Sequence, residues 1–307
     1  MTEQRNFRSA YLEKVGIKGV EEKKSLEILL NEQPLDIIKL NQFCIRFPVP
    51  ASHRSYLWKV LLDVLPVHQA SHQYVGEQRQ QQYDDLHEAL EAMCKIDETS
   101  PLHEVHLKMF LVENGLLPFN QSGMMSDVRN RIFTSVTTAM SEVTEDQTDI
   151  YWLSTKFYKL QLKHTEILPE MVGRVDFYLK KEDGDGHLCE HLMKLKAYQH
   201  LHFTDWFSSC FASILPMPSL ARIWDKIIGG SYKILVFVAV AMLLTLKRPI
   251  LSMKTISNVE QYLSQIPDDN GDIIVNKAVE LWHKHGCLLL PVTTRGNSPV
   301  ITDKVYS

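Results

Sequence analysis

Residues 203–230 read FTDWFSSCFASILPMPSLARIWDKIIGG. Trp206, Phe207, Cys210 and Phe211 fall at helical spacing in the first half. Pro216 and Pro218 bracket a turn, and a proline suits the first turn of the helix that follows. Leu220, Trp224 and Ile227 then form one apolar stripe at i, i+4, i+7. Gly229-Gly230 marks the end of that helix. The pattern predicts two helices across a tight turn, over 203–214 and 217–228.

The same period extends outward along the chain. Apolar spacing predicts further helices over 7–16, 21–31, 35–46, 52–65, 70–94, 101–114, 125–143, 147–163, 168–181, 186–197, 231–246, 255–265 and 271–285. Breakers separate them: FPVP at 47–50, Ser100-Pro101, EDGDG at 182–186 and PDDNG at 267–271. Sustained two-residue alternation with hairpin turns does not occur. An all-α chain of about 15 helices in one large domain over 11–290 is expected. The first ten residues are expected to be loose. The segment 291–307 lacks apolar periodicity and is expected to be disordered.

Composition narrows the function classes. The 307 residues are 45% hydrophobic and 23% charged, the balance of a soluble globular domain. A net charge of −4 lacks the basic surplus that nucleic-acid binding requires. The 5 cysteines are scattered without a CxxC pair, so free and mostly buried thiols are expected. The N-terminal residues have no apolar core of a signal peptide. The uncharged run Ile234 to Leu246 is shorter than the ~17–25 residues of a membrane span. It reads instead as a helix buried on all sides, and no direct membrane insertion is expected.

Phe47-Pro48-Val49-Pro50, Arg54, Trp58 and Leu61-Leu62 are similar to the opening turn and R-x-x-x-W-x-x-L-L motif of the TBC domain. That is the Rab-GAP domain, which stimulates GTP hydrolysis on small GTPases. The glycine preceding the family's turn is absent here. Residues 203–230 resemble the second TBC signature, and Asp149-Ile150-Tyr151-Trp152 looks like the family's D-A-F-W helix. The resemblance covers roughly residues 45–285 and implies a TBC/Rab-GAP helical domain. Arg54, Trp58, Trp152, Trp206, Arg222, Trp224 and Asp225 are expected to be structural. Arg54 and Trp58 share a helix face, the tryptophans carry packing area, and Arg222 or Asp225 is expected to form a buried ion pair.

TBC domains act through an arginine in I-x-x-D-x-x-R and a glutamine in Y-x-Q. Such an arginine supplied in trans is worth roughly 10³–10⁵ in rate. No aspartate of this chain has an arginine three residues later, and no tyrosine a glutamine two residues later. After Asp127 the required position is Asn130, with arginines at 129 and 131. The stretch 95–125, where the family would carry both groups, has neither motif. No catalytic residue is therefore assigned, and Arg129 or Arg131 with Gln121 stand as outside substitutes.

Other chemistry is not signalled. His283, His285 and Cys287 lack the spacing of a zinc site. EDGDG lacks the ligand count of a calcium loop. Phosphate-loop, dinucleotide and nucleophile-elbow motifs are missing. No cofactor and no metal are expected. For partner binding the segment 101–114 is singled out. Leu102, Val105, Met109 and Val112 form one stripe, while Leu107 and Leu111 face nearly the opposite way, with His106 and Phe110 beside them. Two apolar faces fit a helix docked by a partner, or one buried between two neighbours.

NFRSAYLEKVGIKGVEEKKSLEILL, GGSYKILVFVAVAMLLTLK and AVELWHKH resemble one branch of the TBC family. Members of that branch serve as a subunit of the tuberous sclerosis complex, beside hamartin and tuberin. The resemblance implies a non-catalytic subunit that binds a hamartin coiled coil while tuberin acts on Rheb and restrains mTOR complex 1. It implies a cytoplasmic protein recruited to lysosome or vesicle membranes through partners. An active GAP for a Rab-family GTPase is the alternative.

Overall fold

The computed structural model describes residues 20–120 and 123–287. The helix expected at 7–16 and the tail after 291 lie outside the described residues. Sixteen α-helices and no strand occur among the described residues. They are α1 Val20–Leu30, α2 Ile37–Arg46, α3 Ala51–Leu61, α4 His72–Ala92, α5 Leu102–Glu113, α6 Val128–Ser141, α7 Gln147–Leu162, α8 Leu168–Glu182, α9 His187–Lys194, α10 Ala197–His200, α11 Phe203–Ser208, α12 Met217–Ile228, α13 Ile234–Thr245, α14 Lys247–Ser252, α15 Ile256–Ser264 and α16 Asp269–Lys284. The all-α expectation holds. The short helices α10 and α14 carry too few apolar repeats to stand out in the pattern.

Local chemistry sets many of the ends. Asp36, Asp127, Asp146 and Thr255 each cap a helix by accepting a backbone N–H. Pro218 stands in the first turn of α12, where its missing N–H costs no helical bond. Asp183 at the end of α8 accepts from Lys247 Nζ at 2.6 Å and from the Cys189 backbone N–H at 3.0 Å. Asp185 of the same EDGDG turn also pairs with Lys247.

The helix expected over 203–214 stops at Ser208. Cys210 (φ 47°) and Phe211 (φ 62°) adopt left-handed backbone, which costs roughly 1–3 kcal/mol per residue. The turn is held by Phe211 N–H donating to Trp206 O at 2.8 Å and by Trp224 Nε1 donating to Cys210 O at 3.0 Å. Both aromatic rings are thereby drawn into the core, where Phe207 and Phe211 are fully buried. Tertiary packing, invisible in the 3.6 period, overrides helix continuation.

Two apolar cores result. The larger includes α5 through α8, α12, α13 and α16, and residues Ile234 to Leu243 of α13 have no exposed surface. α13 lies against α8 and α16, which explains an apolar helix with no polar face. Among the described residues no helix is long and apolar enough to cross a membrane. The smaller core joins α1, α2 and α3 through Leu26, Leu40, Phe43 and Leu57.

Where α2 meets the end of α12, the fit leaves no room for a side chain at Gly229. A Cβ there would lie 2.8 Å from Cys44 Cβ and 3.0 Å from Asn41 O. Gly229→Ala should cost about 1–3 kcal/mol by overpacking. Thermal unfolding should show this as a lower Tm, roughly 2–4 °C per kcal/mol.

Candidate functional site

Asp225 is the polar centre of the fold. It lies on α12 and is 1% exposed. Arg54 Nε donates to its Oδ1 at 3.1 Å, Arg54 Nη2 to Oδ2 at 3.2 Å, and Trp58 Nε1 to Oδ1 at 2.9 Å. Arg54 Nη2 also reaches Val49 O at 2.8 Å, in the FPVP turn. The i, i+4 spacing of Arg54 and Trp58 thus aims both donors at one carboxylate. Burial pushes that carboxyl above the ordinary carboxylate range, against the charge and hydrogen bonds of Arg54 and the Trp58 N–H.

Next to it, Lys226 donates to Cys44 O at 2.7 Å and Phe47 O at 2.8 Å. Burial lowers its ammonium to about 8, with Asp225 opposing. The lysine was not among the expected residues. A cation directly beside Asp225 was its only signal in the sequence. Of the two expected ion-pair candidates, Asp225 forms one. The Arg222 pair is not buried: its side chain is a third exposed, bonds Asn276 Oδ1 at 2.7 Å and lies 3.8 Å from the exposed Asp272 carboxylate.

The tryptophans are packing groups with satisfied donors. Trp224 lies between Trp58 at 6.0 Å and Phe157 at 4.4 Å, ring centre to centre. Trp152 donates to Arg79 O at 3.0 Å under the Arg79 guanidinium. Trp206 packs edge-on against Phe203.

Of the two readings of 101–114, α5 follows the one with both faces against neighbouring helices. Val105, His106, Met109 and Phe110 are buried in the main core, and Leu102 and Val112 are half-buried against it. α4 and α6 flank the helix, so its two apolar faces each have a partner within the domain. Phe110 stacks on Phe133 at 4.7 Å and meets Tyr158 edge-on at 5.5 Å. His106 stands between Tyr83 and Tyr151, with Nε2 3.3 Å from Tyr83 Oη. Burial lowers the imidazole to about 3.

After α5 the chain turns at Gly115, and most of residues 114–120 are exposed. A cavity of about 510 Å³ opens there, lined by Phe110, Leu116, Met124, Arg129, Asn130 and Tyr158 among others. Asn130, three residues after Asp127, donates its amide to Met124 O at 2.8 Å. Arg129 folds back on Asp127, with Nη2 3.2 Å from Oδ2, and its side chain is 77% exposed. Arg131 is exposed and lines a separate small cavity with Asp205. Gln121 lies outside the described residues. The structure therefore does not bring the two arginines to one site. Among the described residues no group of three or more His, Cys, Asp or Glu could hold a metal ion.

Comparison with known proteins follows this architecture. Residues 175–267 match the RabGAP TBC domain family. TBC1 domain family member 7 of Homo sapiens is 44% identical over 288 residues, covering 93% of this chain and 97% of that protein. The chain belongs to the TBC family. The similarity to member 7 recurs in Danio rerio, with 44% identity over 284 residues, 92% of this chain and 96% of the relative. Two solved structures share the TBC fold. The Ypt/Rab-GAP domain of Gyp1p superposes with a TM-score of 0.57 at 14% identity, covering 87% of this chain and 99% of that one. The Chlamydomonas flagellar RabGAP TBC domain gives 0.56 at 17% identity, over 90% and 95%. The Arg54–Asp225–Trp58 cluster thus belongs to the frame of a TBC domain.

Two measurements follow. Arg54→Ala strands a buried carboxylate and should cost about 3–5 kcal/mol, while Trp58→Phe keeps a ring and should cost about 1–3 kcal/mol in denaturant unfolding. For His106 the folded value lies below the unfolded one, so its stability contribution is present above about 6.5 and is lost as pH falls toward about 3. Between pH 6 and 4 that slope is roughly 1.4 kcal/mol per pH unit. His106→Phe should flatten it in urea titrations across that range.

Proposed function

We propose that this protein is a non-catalytic binding subunit of a GAP assembly, the tuberous sclerosis complex. In this reading it binds a coiled-coil segment of hamartin and supports tuberin, which acts on Rheb and restrains mTOR complex 1. Near-full-length similarity to TBC1 domain family member 7 supports the assignment. The observation that carries the non-catalytic part is Asn130. It stands three residues after Asp127, where the sequence comes nearest to the arginine-finger spacing, and its amide is committed to Met124 O. Arg129, one residue earlier, is paired with its own helix cap. Through such partners the protein would act in the cytoplasm and at lysosome or vesicle membranes.

The alternative is an active GAP for a Rab-family GTPase, which the TBC fold itself favours. Stimulated hydrolysis separates the two. A panel of purified Rab proteins loaded with GTP should show less than about twofold stimulation, against the roughly 10³–10⁵ an arginine finger supplies. Hundredfold stimulation abolished by Arg129→Ala or Arg131→Ala would establish the alternative. In parallel, a recombinant hamartin coiled-coil fragment should co-elute with the protein in size-exclusion chromatography.

A further inference from the structure

The loop after α5 carries the most exposed large apolar side chain among the described residues, and it stands beside a cavity it does not line. Phe119 is 96% exposed, while Pro118 and Asn120 on either side of it line the cavity of about 510 Å³ described above. The position of the ring is braced. Lys95 Nζ donates to Phe119 O at 3.2 Å and lies 5.3 Å from the ring centre. Lys108, buried on α5, donates in turn to Lys95 O at 2.8 Å. Two lysines in series thus tie the backbone of residue 119 to α5 and leave its ring in solvent.

The cavity has the complementary character. Phe110, Leu116, Met124, Tyr158 and Leu162 supply apolar walls, and its volume is large enough to seat a phenyl ring. Phe110 and Tyr158 already meet edge-on, the arrangement in which a further ring packs favourably. Leu116 and Leu162 are themselves exposed, as is Val128, which lines an adjoining crevice with Leu162. Solvated apolar residues gathered around an apolar opening mark an interaction surface.

What fits the hollow is on the same face of the same molecule. A two-fold contact needs one patch that is complementary to itself. A projecting ring next to a ring-lined hollow meets that need: each copy inserts its ring into the other, and the assembly closes at two. Charge agrees. Asp127 and Arg129 line the cavity as a mutually neutral pair, so two such faces do not repel. The net charge of −4 on 307 residues adds little opposition. A phenyl group also brings no polar atom that would be left unsatisfied among the apolar walls.

We propose that this face binds a second copy of the chain in a two-fold dimer, with Phe119 of each copy entering the hollow between Phe110, Met124, Tyr158 and Leu162 of the other. The patch is small, so the contact belongs to the weak class below about 1,200 Å², with Kd on the order of 100 μM. It is independent of the GAP-assembly reading.

Sedimentation velocity of the full chain, from about 1 μM to about 500 μM, brackets that Kd. The average mass should rise from one copy towards two and go no higher. In methyl NMR over the same range, the Met124 and Leu162 signals should shift as a ring arrives beside them. Phe119→Asp and Leu162→Asp alter exposed positions, so both should melt as the wild type does and stay monomeric. Phe119→Tyr, which keeps a ring, should still dimerise. A wild type that is monomeric throughout leaves the surface to a different partner and overturns the proposal. So do masses beyond two copies, a dimer that survives Phe119→Asp, or concentration-dependent shifts that spare Met124 and Leu162.

Discussion

A carboxylate with almost no contact with water holds this fold together. Asp225 accepts from Arg54 and Trp58, and Arg54 in turn ties down the turn at Val49. These three residues come from α3 and α12, far apart in sequence. They fasten the small core of α1 to α3 onto the main core. A buried ion of this kind is a weak source of net stability, because desolvation offsets most of the attraction. Its effect is geometric: a wrong register of α3 against α12 would strand the charge. Lys226 extends the same logic by satisfying two carbonyls at the end of α2 and the turn after it. The position of α2 relative to α12 is thus set by polar groups, while the area buried around them supplies the stabilisation.

The fold is shared with Rab-GAP TBC domains of known structure. In this chain the Arg54–Asp225–Trp58 cluster and Asn130 have no common contact. The Asn130 amide braces the turn before α6 through Met124 O. The surface beside it is concave and lined largely by apolar side chains.

Much of this was legible before any coordinates. The apolar period gave fifteen helical segments, and all those within the described residues correspond to helices, because a helix buried on one face writes its period into the sequence. Arg54 and Trp58 were placed on one face by spacing alone. Their acceptor was not, since nothing local couples residue 54 to residue 225. The two apolar faces of α5 were also legible, but not what covers each. Spacing reports that a face is buried and is silent on whether the burial comes from the same chain or another. The left-handed turn at Cys210 and Phe211 escaped for a similar reason: neither residue type favours that backbone, and only the packing of Trp224 and the rings explains it.

The enclosure of α13 bears on how the molecule is made. Its wall on one side, α8, has already left the ribosome when the helix emerges, but the other wall, α16, is encoded later. During that interval an uncharged helix has one flank bare to solvent. Synthesis arrested or terminated before residue 269 would leave this flank permanently uncovered, a sticky nascent chain of the sort that chaperones retain and proteases clear. Loss of the last described helix would then act through disposal of the polypeptide, with no defect at any binding surface.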